Sequence, residues 1–318
     1  MPLFPSFSAP AQARRTPCAG RETRHPLETC APGAMNFSPR VRPFRTRSVH
    51  SGPGPCTREN TAGLVLFRIV TPVHALLVAL GGVGAGIFNG VAGGGSLISF
   101  PILLAVGYPA LTANITNTVG IWPGYLSTAA GFRSEIGDQR DRLLRLTPVA
   151  LAGGVAGALL LLTTSPGTFD DVVPWLVLGA AALFAAQPLL RRALDRGAAH
   201  PRPRPVLLVT GVFAASVYGG YFGAAMGVIF LAVLGLALPL SLAHTSGLRA
   251  VLSMIVNGIA AVVFLVHGGL AWEAVWLLAL GSLVGGFLGA RLALSLPAPA
   301  LRAAVVVIGV GTAVKLLA

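Results

Sequence analysis

The stretch VGAGIFNGVAGGGSLISFPILLAVGYPALTANITNTVG, residues 83–120, returns in diverged form 130 positions later as FAASVYGGYFGAAMGVIFLAVLGLALPLSLAHTSGLRA, residues 213–250. Phe88, Asn89 and Gly90 align with Tyr218, Gly219 and Gly220, and Gly93 to Gly95 align with Gly223, Ala224 and Ala225. A second pairing, at an offset of 132, sets Gly153, Gly154, Gly157 and Ala158 against Gly285, Gly286, Gly289 and Ala290. Both copies are apolar throughout and are interrupted by glycine clusters at matched places. This pattern predicts an all-α polytopic membrane protein of two homologous halves, with glycine-broken helices arranged as inverted repeats.

Composition points the same way. Charged residues make up 10% of the chain and apolar residues 54%, with a mean hydropathy of +0.76. Soluble domains carry about 25% charged residues. From Ile69 to Phe132 there is no Asp, Glu, Lys or Arg, a 64-residue run. A spanning helix needs roughly 20 such residues, so the run crosses a bilayer more than once. No alternating pattern of a membrane barrel is present.

Residues 1–62 differ in kind. They hold nine of the 23 basic residues against three acids, +6 of the net +13, and all three cysteines, Cys18, Cys30 and Cys56. A disordered basic tail is expected there, or an over-extended start with Met35 as an internal alternative. The charge is therefore no argument for a nucleic-acid partner. With no cysteine beyond the tail, neither disulfides nor thiolate metal sites enter the mechanism.

Glycine and proline punctuation divides the rest into a first repeat (63–190), a linker (191–204) and a second repeat (205–318), each repeat with about five hydrophobic segments. The second segment of each, 96–108 and 225–238, rises only about 20 Å as a helix, so it is a tilted short span or a re-entrant half-helix. The stretch 191–205 carries five arginines against one acid and is expected to be cytoplasmic. The loop 133–145, with four arginines and three acids, fits the same side, and Asp170 and Asp171 fit the other. In the second half the order reverses: 267–273 has no Lys or Arg, and Arg291 and Arg302 flank the next loop. An odd number of crossings per half produces that reversal, and it leaves the basic tail on the side the charge rule disfavours.

Glycines at four-residue spacing (Gly82, Gly86, Gly90, Gly94; Gly219, Gly223, Gly227; Gly281, Gly285, Gly289) predict ridges for close helix packing. Gly93 to Gly95 predict more, because three consecutive glycines do not continue a helix cheaply. A break there frees backbone N–H groups beside a half-helix that Ser96 would cap, and such groups bind anions.

At these residues the chain resembles the TauE/SafE (sulfite exporter) family of membrane transporter proteins. The resemblance rests on GAGIFNGVAGGGSLISFPILLAVGYP (84–109), ANITNTVG (113–120) and GGLAWEAVWLLALGSLVGGFLGARLALSLP (268–297). It implies a secondary carrier of small sulfur-containing or organic anions at the cytoplasmic membrane, an exporter of the sulfite or sulfonate type. A passive anion channel and a carrier for non-sulfur organic anions stay open beside it. The expected partners are the anion and the lipid bilayer, and no cofactor is expected.

Candidate binding residues follow from polar chemistry inside apolar segments. Arg249 lies about eight residues into the segment 241–266, where a charge is kept only for a polar cavity or an anion, or else snorkels to the interface. Asn114 and Asn117, with Thr116 and Thr118, crowd one stretch of the third segment, and His244, Thr245 and Ser246 occupy the matching stretch. Asn89 precedes the first break, where its amide meets a ligand or the opened backbone. The expected site thus comprises Asn89, Gly93, Gly94, Gly95, Ser96, Asn114, Asn117, Gly223, His244, Thr245, Ser246 and Arg249. His244 is a candidate proton shuttle, although a lone histidine in a helix is more often a hydrogen-bonded structural residue. No HExxH, intramembrane carboxylate pair or Ser/His/Asp set supports an enzyme, and no GxxxxGK[ST] supports ATP-driven transport.

Overall fold

A backbone in hydrocarbon must satisfy its own polar groups, and uncharged apolar runs of this length do so as helices. The computed structural model of the chain describes residues 71–91, 93–197, 204–292 and 298–317, all within one compact unit, Glu59–Ala318. The tail expected over 1–62 lies outside the described residues, as do linker residues 198–203.

In chain order the helices are α1 (Pro72–Val91), α2 (Ser96–Val106), α3 (Ala110–Gly131), α4 (Arg133–Ile136), α5 (Arg140–Thr163) and α6 (Pro166–Gly197). After the linker come α7 (Pro205–Tyr221), α8 (Met226–Ala237), α9 (Leu242–His267), α10 (Trp272–Leu292) and α11 (Ala298–Leu317). A single 3-10 turn, Gly137–Gln139, joins α4 to α5. Five of these stretches are long and apolar enough to cross a membrane: Pro72–Val91, Arg133–Thr163, Pro166–Leu189, Leu242–His267 and Trp272–Gly289. The segments expected from hydropathy thus appear as helices, with one difference. Helix α6 continues to Gly197, so the first part of the expected linker is helical.

The short second segments fold back along the helices before them. Gly81 faces Ile102 and Gly84 faces Ile98, so α2 runs back along α1. Gly211 faces Val233 and Gly219 faces Met226, so α8 runs back along α7. A half-helix that returns needs a tight turn at depth, which is where the glycines stand.

Neighbour contacts give the direction of the remaining helices. Helix α10 packs parallel to α1, with Gly281, Gly285 and Gly289 against Ala79, Val83 and Ile87. It also packs parallel to α3, through Ala271 with Thr116, Leu278 with Gly120 and Ser282 with Gly124. Helix α9 ends beside the start of α10, and at its own start Gly247 touches Glu135 and Ile136 of α4, which follows α3. Helices α3 and α9 are therefore antiparallel. The α1–α2 hairpin enters from the face where α3 begins (face A), and the α7–α8 hairpin enters from the face where α3 ends (face B).

The pairings also survive exchange of the halves: α1 with α10 and α7 with α5, α3 with α10 and α9 with α5, α2 with α11 and α8 with α6. Each half thus contributes one hairpin with a short second helix, α1–α2 or α7–α8, and three further long helices. Arg133, Arg140, Arg142, Arg145, Arg192 and Arg204 fall toward face B, while Asp170, Asp171 and Glu273 fall toward face A.

The glycine ridges on α1 and α10 pack as expected. An added Cβ at Gly86 would stand 2.5 Å from the backbone nitrogen of Gly286. The series Gly219, Gly223, Gly227 is not one ridge, because the helix breaks between its members and each glycine meets a different neighbour.

Candidate functional site

The two breaks begin alike. Gly93 and Gly223 both adopt φ +77°, a left-handed conformation that glycine takes without a Cβ penalty. Each N–H donates back five residues, from Gly93 to the Phe88 carbonyl (2.9 Å) and from Gly223 to the Tyr218 carbonyl (3.2 Å). Two residues later they diverge, Gly95 being right-handed (φ −58°) and Ala225 left-handed (φ +57°). The breaks touch directly, the Gly227 N–H donating to the Gly93 carbonyl at 3.2 Å.

The first break does not leave all its amides free. The Gly93 N–H is used as described, and the Gly95 N–H donates to Asn89 Oδ1 at 2.9 Å. Ser96 is the first residue of α2 rather than its cap, and no side chain caps that helix. Gly94 packs against the Phe184 ring of α6.

Arg249 settles between its two readings by its direction. It is 3% exposed and its guanidinium lies against Gly93, so it turns into the protein instead of snorkelling. It sits seven residues into α9, about 10 Å from the start of that helix. Around it stand Thr245, Ser253 and Asn257, all buried and all at four-residue spacing on one face of α9. The Tyr125 hydroxyl of α3 lies among the side chains of Ser96, Asn257 and Asn89 and within the field of Arg249. Asn89 Nδ2, Asn257 Nδ2 and Ser253 Oγ are buried there without a hydrogen bond of acceptable geometry.

Among the described residues Arg249 is the one buried charged side chain, and its amide neighbours Asn89 and Asn257 offer N–H groups beside the Tyr125 hydroxyl. Amide nitrogens buried without a well-formed hydrogen bond gain free energy when a partner supplies oxygen lone pairs. The buried apolar residues form two clusters. One contains Phe100, Phe184, Phe222 and Phe264, and the other Ile121, Leu146, Phe230, Leu248 and Leu252. Phe100 of the first hairpin and Phe222 of the second break meet edge to face at 5.4 Å.

The other expected site residues divide. Asn117 accepts a hydrogen bond from Ser99 Oγ at 2.5 Å, tying α3 to α2. Asn114 Nδ2 donates to the Tyr221 carbonyl at the end of α7 (2.9 Å), and Gly223 closes that same end. Thr245 Oγ1 donates to the Ser241 carbonyl within its own helix. His244 is at the start of α9, where its N–H donates to Ser241 Oγ (3.3 Å) and its Nδ1 lies 2.6 Å from the same oxygen. His244 and Ser246 are only half-buried. Asn89, Gly93, Gly95, Ser96 and Arg249 thus come together, whereas Asn114, Asn117, Gly223 and His244 serve other junctions. Sequence reasoning missed Tyr125 and Ser253. For Ser253 the signal available was the period of four from Thr245 through Arg249 and Ser253 to Asn257, of which only Thr245 and Arg249 entered the expected site.

With the helices and this buried cluster established, comparison with known proteins decides the family. The profile of the family described as Sulfite exporter TauE/SafE matches residues 78–316. The chain belongs to the TauE/SafE family. A protein of Haemophilus influenzae named "Probable membrane transporter protein" is 30% identical over 241 residues, 73% of this chain and 90% of its own length. "Probable membrane transporter protein ORF9" of a Sinorhizobium species is 29% identical over 243 residues (74% and 88%). "Probable membrane transporter protein YfcA" of Escherichia coli K12 is 27% identical over 238 residues (73% and 86%). No solved structure matches the chain. As a TauE/SafE protein with five helices able to span, it is a multi-pass membrane protein of a transporter family.

Proposed function

We propose that this TauE/SafE protein is a secondary carrier of small anions, held between the two breaks with Arg249 as counter-charge and Asn89, Asn257, Ser253 and Tyr125 as the surrounding polar wall. The observation that carries the reading is the inward, 3% exposed guanidinium of Arg249 against Gly93. A cation at that depth is stabilised by an anion far more than by water it cannot reach. A guanidinium fork also matches a sulfonate, sulfite or carboxylate in two-point contact. The excess of arginine at face B makes that face cytoplasmic in a cell membrane. Sulfite or a sulfonate as cargo, and export as the direction, rest on family likeness.

The test is uptake of labelled sulfite and sulfoacetate into proteoliposomes, with counterflow measured on the same preparation. Saturation and counterflow are expected, and flux linear in concentration without counterflow would identify a channel. Arg249→Lys keeps charge and loses the fork, and Arg249→Gln loses both, so Km should rise in that order. A charged hydrogen bond is worth roughly 1.5–3 kcal/mol, about ten-fold or more in apparent affinity. An unchanged Km for the glutamine variant at equal abundance removes Arg249 from the site.

A further inference from the structure

Asn89 has its amide orientation decided for it. The break opens the Gly95 N–H, and Asn89 Oδ1 accepts it at 2.9 Å in a buried setting. Turning the amide over would set NH2 against N–H, donor against donor. Nδ2 is therefore directed away from Gly95. It is buried and lies toward the Tyr125 hydroxyl, as Asn257 does, and neither Nδ2 completes a hydrogen bond of acceptable geometry there. At the related position of the second break stands Gly219, which has no side chain to do this.

We propose that Asn89 is a specificity-determining donor of the anion site: its oxygen secures the first break while its amide nitrogen is presented to an oxygen of the bound anion. The inference rests on the anion-carrier reading and adds what the site selects. Two amide nitrogens on different helices, beside a guanidinium, require a ligand group with bare oxygen lone pairs facing both. A deprotonated oxyanion satisfies them. Its protonated or esterified analogue places a hydrogen or alkyl group against a donor and is rejected.

The experiment compares the full-length parent with Asn89→Asp, Asn89→Ser and Arg249→Gln in proteoliposomes, using labelled sulfite and sulfoacetate as probes. Aspartate keeps an oxygen for the Gly95 N–H, so a purely structural role predicts a folded protein with the parental Km. The donor role predicts a Km raised about ten-fold or more for folded Asn89→Asp, because NH2 has become a negative oxygen facing the ligand. Asn89→Ser also lacks the NH2, is expected to shift Km in the same direction, and serves where the aspartate variant does not fold. A parental Km in either folded variant overturns the proposal. If Arg249→Gln alone raises Km, the carrier reading stands and only the Asn89 role falls. If Arg249→Gln also has the parental Km, or the parent shows no saturable uptake of either probe, both fall.

Discussion

Replacing Gly227 with alanine tests whether the two breaks meet. Gly227 lies in the first turn of α8 and has no left-handed φ, so a helical alanine is intrinsically favoured there by about 1 kcal/mol over glycine. The junction reverses that sign. An alanine Cβ would stand 2.6 Å from the Gly93 Cα and 2.8 Å from the Gly93 carbonyl oxygen, and both atoms are backbone with no rotamer to yield. Overpacking of this kind costs about 1–3 kcal/mol. Pushing the loops apart also weakens the 3.2 Å bond from the Gly227 N–H to the Gly93 carbonyl, about 1 kcal/mol more. Less the helical gain, the net loss is about 1–3 kcal/mol. Reversible unfolding in mixed micelles, followed by helical circular dichroism against increasing denaturing detergent, measures it as an earlier midpoint. Gly137→Ala is the control, since nothing lies within 4 Å of the added methyl, and its midpoint should stay within about 0.5 kcal/mol of the parent. If Gly227→Ala is as stable as the parent or more so, the breaks are not in contact and the site built around Gly93 is misassembled.

Two further stability predictions use the same assay. Gly86→Ala should destabilise by at least about 1–3 kcal/mol, because its Cβ meets the backbone of α10, whereas Gly84→Ala should be neutral or stabilising, since its Cβ makes only an ordinary 3.4 Å contact with Ile98. Ser99→Ala removes the donor to buried Asn117 Oδ1 and should cost about 1–3 kcal/mol, and a parental midpoint would show that Asn117 is satisfied elsewhere.

Helices and breaks were legible because their causes are local. Charge-free length and the glycine triplet write them directly into the residues, and the shortness of 96–108 and 225–238 announced the half-helices without deciding between a tilted span and a return. That each runs back along the helix before it shows only in the contacts of Gly81 with Ile102 and Gly211 with Val233, which no spacing rule supplies. The site was legible in part for the same reason. Arg249 is conspicuous as a charge in an apolar run, but Tyr125 is an unremarkable aromatic in α3, and only the crossing of α3 with α9 brings it to Asn257. Hydropathy places His244 inside a segment, and the structure places it at the start of α9, where Ser241 caps the helix through the His244 N–H. The freed amides were expected to wait for a ligand, and a side chain six residues back takes one of them.

The two breaks begin on the same turn and then part in backbone and in side chains, and that difference is where chemistry enters. Gly93 and Gly223 share φ +77°, but Gly95 is right-handed where Ala225 is left-handed, and Asn89 faces Gly219 and Arg249 faces Val119 across the alignment. Val119 packs instead with the apolar cluster containing Phe100, and among the described residues no carboxylate is buried to pair with a second guanidinium there. Arg249 and the oriented Asn89 therefore have no counterpart across the alignment, and the likeness of the two breaks stops at the first turn of their backbone.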